Sequence, residues 1–117
     1  MKKDQIFMML FRFKPDFSYQ PTPEERQSMQ EQWGGFIGKT AISEQLVGAY
    51  QLGFEGTQIQ PDLAVSEGIH LADQYALSGS MVVKANSLEE ATQMAKGCPI
   101  LKMGGNVEVR SIIPMDR

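Results

Sequence analysis

His70 is the chain's only histidine, and Glu67 and Asp73 stand three residues to either side of it. An imidazole titrates near neutrality, so beside a carboxylate it suits general acid–base work. The backbone decides whether the three groups meet. In a helical turn, residues three apart share one side, and Glu67, His70 and Asp73 converge. In an extended chain, His70 faces away from both. The converged arrangement makes His70 and Asp73 a candidate catalytic pair. It also offers a sparse metal set of two carboxylates and one histidine. A closed metal site needs more ligands, so no metal is expected. The plain alternative is a solvated loop of ordinary polar residues.

Arg12, Glu108 and Arg110 form a second group. Arg12 ends an apolar run, and Arg110 shares a strand face with Glu108. Two arginines on neighbouring strands can clamp a carboxylate or phosphate. Arg12, Glu67, Glu108 and Arg110 are therefore the ligand-binding candidates. The simpler reading is a cross-strand ion pair through Glu108, worth ~0.2–1 kcal/mol. Cys98 lies on an apolar stripe before Pro99, where a buried thiol is inert. Gly104-Gly105 precedes a strand rather than a helix, so it is a turn and not a phosphate cradle. No cofactor motif is present, so no cofactor is expected. Lyase- or isomerase-like proton transfer is the least demanding chemistry for these groups.

The elements that position them read as follows. Residues 5–13 form a first strand, bounded by Lys14-Pro15. Ile6, Met8 and Leu10 point one way, and Phe7, Met9, Phe11 and Phe13 the other. Both faces are apolar, so both need cover, and a second subunit can supply one. Residues 16–21 are a loop. Thr22-Pro23-Glu24-Glu25 starts a helix with a capping box. Met29, Trp33, Phe36 and Ile37 make its apolar stripe. Gly34 and Gly35 either admit close packing or mark an early end near Gly38. A strand follows at residues 46–52, with Leu46, Gly48, Tyr50 and Leu52 on one face. Residues 58–65 are a weak extended pair around Pro61-Asp62, and residues 66–77 carry no clear pattern. Residues 79–85 are a strand with Met81, Val83 and Ala85 on one side. Ser87 and Glu90 form a second capping box, and Leu88, Ala91, Ala95 and Cys98 face the core. Pro99 stops that helix, and the glycine turn feeds a last strand over residues 106–113. Most of the eight methionines are packing residues, with Met8, Met29 and Met81 at core-facing positions.

The chain's 117 residues fit one domain spanning residues 1–117. Its formal charge of −3 gives no electrostatic case for nucleic acid or an anionic membrane. A single cysteine excludes an internal disulfide. Lys2 and Lys3 before an apolar run look like a leader, but Arg12 and Lys14 break the run and no small-residue cleavage site follows. No stretch approaches the ~20 apolar residues of a membrane span. A cytoplasmic protein is expected. Strand–helix–strand, an excursion, then strand–helix–strand fits an α+β, ferredoxin-like βαββαβ sandwich.

The C-terminal third reads Gly79 to Ala85, then Ser87-Leu88-Glu89-Glu90-Ala91. It continues Ala95-Lys96-Gly97-Cys98-Pro99 and ends Gly104-Gly105-Asn106-Val107-Glu108-Val109-Arg110. Together with Met8 to Arg12 at the start, this resembles the YCII-related, or DGPF, family over nearly the whole chain. The resemblance implies a ferredoxin-like fold that dimerises through its sheets into an α/β barrel, with a cleft beside the strands. The family's acidic D-G-P-F segment is replaced here by Glu67-Gly68-Ile69-His70, and E-x-K-E by Ala72-Asp73-Gln74-Tyr75. Some relatives carry a His–Asp pair with the histidine on the first helix, where this chain has none. Two functions remain open. One is binding or transformation of a small molecule in the cleft, and the other is a non-catalytic homodimeric accessory or regulatory module.

Overall fold

A computed structural model of the chain describes residues 5–16 and 18–115. Lys2 and Lys3, the source of the leader-like look, lie outside the described residues, as does Phe17 of the 16–21 loop.

Strand β1 (Gln5–Phe13) buries Phe7, Met9 and Phe11 and half-buries Ile6, Met8 and Leu10. Both helices pack on the Phe7 side, so that side holds the core and Met8 lies on the opposite, open face. Met8 is therefore not a core residue: the period of two puts it out of phase with Phe7 and Met9. Helix α1 (Pro23–Ile42) starts with the expected capping box. Thr22 Oγ1 accepts from the Glu25 N–H at 3.1 Å, and the Glu25 carboxylate accepts from the Thr22 N–H at 2.8 Å. The Tyr19 hydroxyl donates to the same carboxylate and holds it below the ordinary carboxylate range. The helix continues through Gly34, Gly35 and Gly38, none of which would bring a Cβ within 4 Å of another atom. These glycines neither end the helix nor mark a close approach.

Strand β2 (Leu46–Gln51) leads into an excursion holding β3 (Thr57–Ile59), β4 (Val65–Glu67) and β5 (Leu71–Ala72). The chain closes with β6 (Tyr75–Ala85), helix α2 (Leu88–Ala95), a 3₁₀ turn over Pro99–Met103 and β7 (Asn106–Ser111). The main sheet runs β2-β6-β1-β7, antiparallel throughout, with β5 added against β6. One helix joins β1 to β2 and the other β6 to β7, an α+β arrangement compatible with a ferredoxin-like fold.

Two irregularities change which residues face the core. A register shift between Leu46 and Gly48 sets Leu46 opposite Val83 but Gly48 opposite Val82. Leu46 thus packs on the core while Gly48 is on the open face, so β2 does not keep the single face that simple alternation assigns it. In β6 a second shift pairs Phe11 with Gly79 but Arg12 with Leu77, leaving Ser78 as the extra residue. Ala76 is fully buried as a result. Asp73 and Gln74 join β5 to β6 with φ of 53° and 69°, the two left-handed residues of a type I′ hairpin. That hairpin is the order hidden in residues 66–77.

Helix α2 differs from expectation at its start. Ser87 caps the Glu90 N–H at 3.1 Å, but Glu90 reaches back to the Asn86 N–H at 3.0 Å instead of to Ser87. Leu88 is exposed rather than in the core. Helical side chains lean toward the N-terminus, and the first residue has no earlier turn to shelter it. Pro99 ends the helix as expected and also opens the 3₁₀ turn, an element with no signal of its own in the sequence.

The strands β3 and β4 pair only with each other and form a separate hairpin. Ile59, Leu63 and Val65 on it are exposed. The chain measures 48 × 44 × 21 Å with a radius of gyration of 16.1 Å. A compact domain of this length has a radius near 13 Å, and the projecting arm accounts for part of the excess.

Candidate functional site

Arg12, Glu108 and Arg110 meet on the open sheet face. Arg12 Nη1 donates to Glu108 Oε1 at 2.7 Å, and Arg110 Nε lies 4.0 Å from the other carboxylate oxygen. The strand register explains this, because Glu108 sits opposite Leu10, between the Met8–Arg110 and Arg12–Asn106 pairs. One carboxylate therefore serves both guanidinium groups. The cluster is partly exposed, and a pair so placed contributes about 0.2–1 kcal/mol.

Glu67, His70 and Asp73 fall elsewhere, along the root of the arm. Glu67 ends β4, His70 lies between β4 and β5, and Asp73 is in the hairpin turn. No helical turn forms over residues 67–73, so the helical convergence of the three does not form, and all three are exposed. Among the described residues, no group of three His, Cys, Asp or Glu side chains is placed to hold a metal ion. Cys98 is buried, and burial pushes its thiol up to about 11. It stays protonated at neutral pH and is no nucleophile.

The helix side offers a different site. The nearest backbone neighbours of α1 are β2 and the 3₁₀ turn, not the centre of the sheet. Between α1 and the sheet lies a cleft of ≈ 590 Å³. Its apolar wall includes Phe11, Phe13, Met29, Trp33 and Ile37. Trp33 meets Phe11 edge-on, with ring centroids 5.2 Å apart. Phe13 in turn lies 6.0 Å from Phe54, at the start of the excursion. Arg26, Gln30 and Gln51 are the long polar side chains of the lining. Arg26, Met29, Gln30, Trp33 and Ile37 follow one another at i, i+3, i+4, i+7 and i+11, a single helical face.

A second groove of ≈ 610 Å³ runs between the helices, lined in part by Lys39, Gln45, Glu90 and Lys102. Two of its polar groups are engaged with each other and with the backbone: Gln45 Nε2 donates to the Lys84 carbonyl at 3.1 Å and to Glu90 at 3.3 Å.

A family model described as the YCII-related domain matches residues 6–116. The chain belongs to the YCII-related family. No curated protein matches it. In this YCII-related chain, residues 67–75 fall on the arm and its root and do not line the cleft. No helix among the described residues is long and apolar enough to cross a membrane. The cleft residues Arg26, Gln30 and Gln51 have no motif of their own in the sequence. Only the helical spacing of Arg26 and Gln30 with Trp33 signals that they share a surface.

Proposed function

We propose that this YCII-related domain binds a small, largely apolar molecule in the cleft between α1 and the sheet. The observation that carries the reading is the cleft itself, ≈ 590 Å³ with Phe11, Phe13 and Trp33 on its wall. Ligand sites of this kind measure ~300–1,000 Å³ and combine apolar walls with a few polar groups. His70, Asp73, Glu67, Arg12, Glu108 and Arg110 do not line this cleft, so the proposed activity is binding, without a chemical step. Trp33 is the only tryptophan in the chain, so its indole N–H gives one unmistakable resonance. Titration with the neutral probe phenylacetamide is expected to shift that resonance saturably. A shift that never saturates, or none, overturns the reading.

A second reading concerns the open sheet face and accompanies the first. We propose that a second copy of the chain covers it. Ile6, Met8 and Leu10 are half-buried there with no helix above them, and Val82 lies beside Met8. Leaving such a face to water forfeits the remaining burial of several half-buried apolar side chains, each worth about half of the ~1.5–3 kcal/mol for full burial. Charge also favours a like partner. Between Gln51 and Val83 the chain carries Glu55, Asp62, Glu67 and Asp73 and no lysine or arginine. The open face displays Arg12, Lys84 and Arg110 against the single carboxylate of Glu108. An acidic, apolar-tipped arm suits that basic rim on another copy. Light scattering is expected to give twice the 13.0 kDa chain mass at micromolar concentration. Met8→Lys, which adds a cation opposite Arg110, is expected to return it to the monomer mass. A wild-type monomer sinks this reading and leaves the cleft untouched.

A further inference from the structure

We propose that the ligand of the cleft is a monoanion, an aromatic or similarly apolar carboxylate whose head group meets the Arg26 guanidinium. This rests on the reading of the cleft as a binding site and names what it takes.

The charge pattern singles out Arg26. It is the one charged residue among those lining the cleft, and no carboxylate lines it. Arg12 and Arg110 share Glu108, whereas Arg26 makes no ion pair among the described residues. The nearest carboxylates in sequence are committed or turned elsewhere. Glu25 accepts from the Thr22 N–H and the Tyr19 hydroxyl, and neither Glu24 nor Glu25 lines the cleft. A guanidinium without a partner, at the mouth of an aromatic cleft, is matched by a planar anion that accepts two parallel N–H bonds. The same cation leaves no second charge for a dicarboxylate or a phosphate dianion to satisfy.

The geometry of α1 supplies the rest of the pattern. Gln30 lies one turn beyond Arg26, and Trp33 one further turn along the same face. A ligand with its carboxylate at Arg26 therefore has an amide within one turn and aromatic rings beyond it. Phe11 and Phe13 of β1 complete the apolar end. Arg26 is exposed, so its charge is already hydrated, and the selectivity it confers is screened by salt.

The test compares phenylacetate with its neutral isostere phenylacetamide, each followed by the Trp33 indole resonance. In the wild type at low salt, phenylacetate is expected to bind about two- to fivefold more tightly than the amide. In Arg26→Gln the two are expected to bind alike. Arg26→Lys keeps the charge but not the fork and is expected to restore part of the preference. Equal binding of both probes to the wild type overturns the anion assignment while cleft binding stands. A preference that survives in Arg26→Gln also overturns it, because the charge then acts elsewhere. If neither probe moves the Trp33 resonance saturably, cleft binding itself is overturned, and the assignment of its ligand falls with it.

Discussion

Phe7→Ala lowers the unfolding free energy by about 3–5 kcal/mol, the range for deleting a buried phenyl ring. Phe7 is 1% exposed and sits on the central strand, opposite Val83 of β6 and Ser111 of β7. It belongs to the cluster that includes Met9, Met81, Val83 and the α2 residues Ala91 and Ala95. The sheet is hydrogen-bonded on both sides of Phe7, so the backbone has little freedom to collapse into the void. Against a total stability of ~5–15 kcal/mol, the loss leaves a marginal fold. Ile6→Ala, one residue away on the open face, is expected to cost less than half as much in the isolated chain. Urea unfolding of both variants in a Met8→Lys background, where the chain is expected to be monomeric, checks the difference. Equal losses there would mean that the two faces of β1 are buried alike within one chain.

Gly105→Ala is expected to cost about 1–3 kcal/mol through overpacking and to shift the start of β7. A Cβ there would lie 2.5 Å from the Arg12 carbonyl oxygen and 2.7 Å from Ile100 Cγ1. The Ile100 carbonyl oxygen would be 3.1 Å away. Two of those three atoms are backbone and cannot swing aside. The Gly105 N–H also donates to that same Ile100 carbonyl at 2.9 Å, so the turn cannot open without losing a bond. Gly104 is the useful comparison. It has open space around it but a φ of 81°, and Gly104→Ala costs ~1–2 kcal/mol through conformation alone. Thermal unfolding ranks the two variants. Amide exchange over β7 separates them, since only Gly105→Ala is expected to loosen the Asn106–Arg12 pairing.

The two glycines show how unevenly structure can be read from a sequence. That Gly104-Gly105 is a turn follows from composition and from the alternating strand after it. That one glycine answers to φ and its neighbour to the approach of β1 depends on Arg12, more than ninety residues earlier. Helix starts were legible because capping is local: Thr22 and Glu25, or Ser87 and Glu90, meet within one turn. The core side of β1 was not legible. Its two faces carry apolar residues of similar kind, and only the packing of α2 and α1 on Phe7, Met9 and Phe11 separates them. The shifts at Leu46 and Ser78 were equally hidden, because a bulge is defined by the partner strand and not by the residues that make it.

The candidate site follows the same division. Residue types singled out His70, Asp73, Arg12 and Arg110, since their chemistry is conspicuous wherever they fall. Tertiary structure then sent them to two separate exposed surfaces, His70 and Asp73 to the root of the arm and the arginines to the open sheet face. It built the cleft instead from Phe11, Phe13, Arg26 and Trp33, residues of ordinary type on two elements. The sequence by itself determined the main strands, the two helix starts, the two-sided apolar strand and the family. The tertiary structure alone decided which face is the core, that a cleft lies between α1 and the sheet, and that Arg26 lines it without a counter-charge. The physical reason is range. Caps, turns and periodicity act over a few residues, whereas a cleft and its charge balance are set by contacts between segments far apart in the chain.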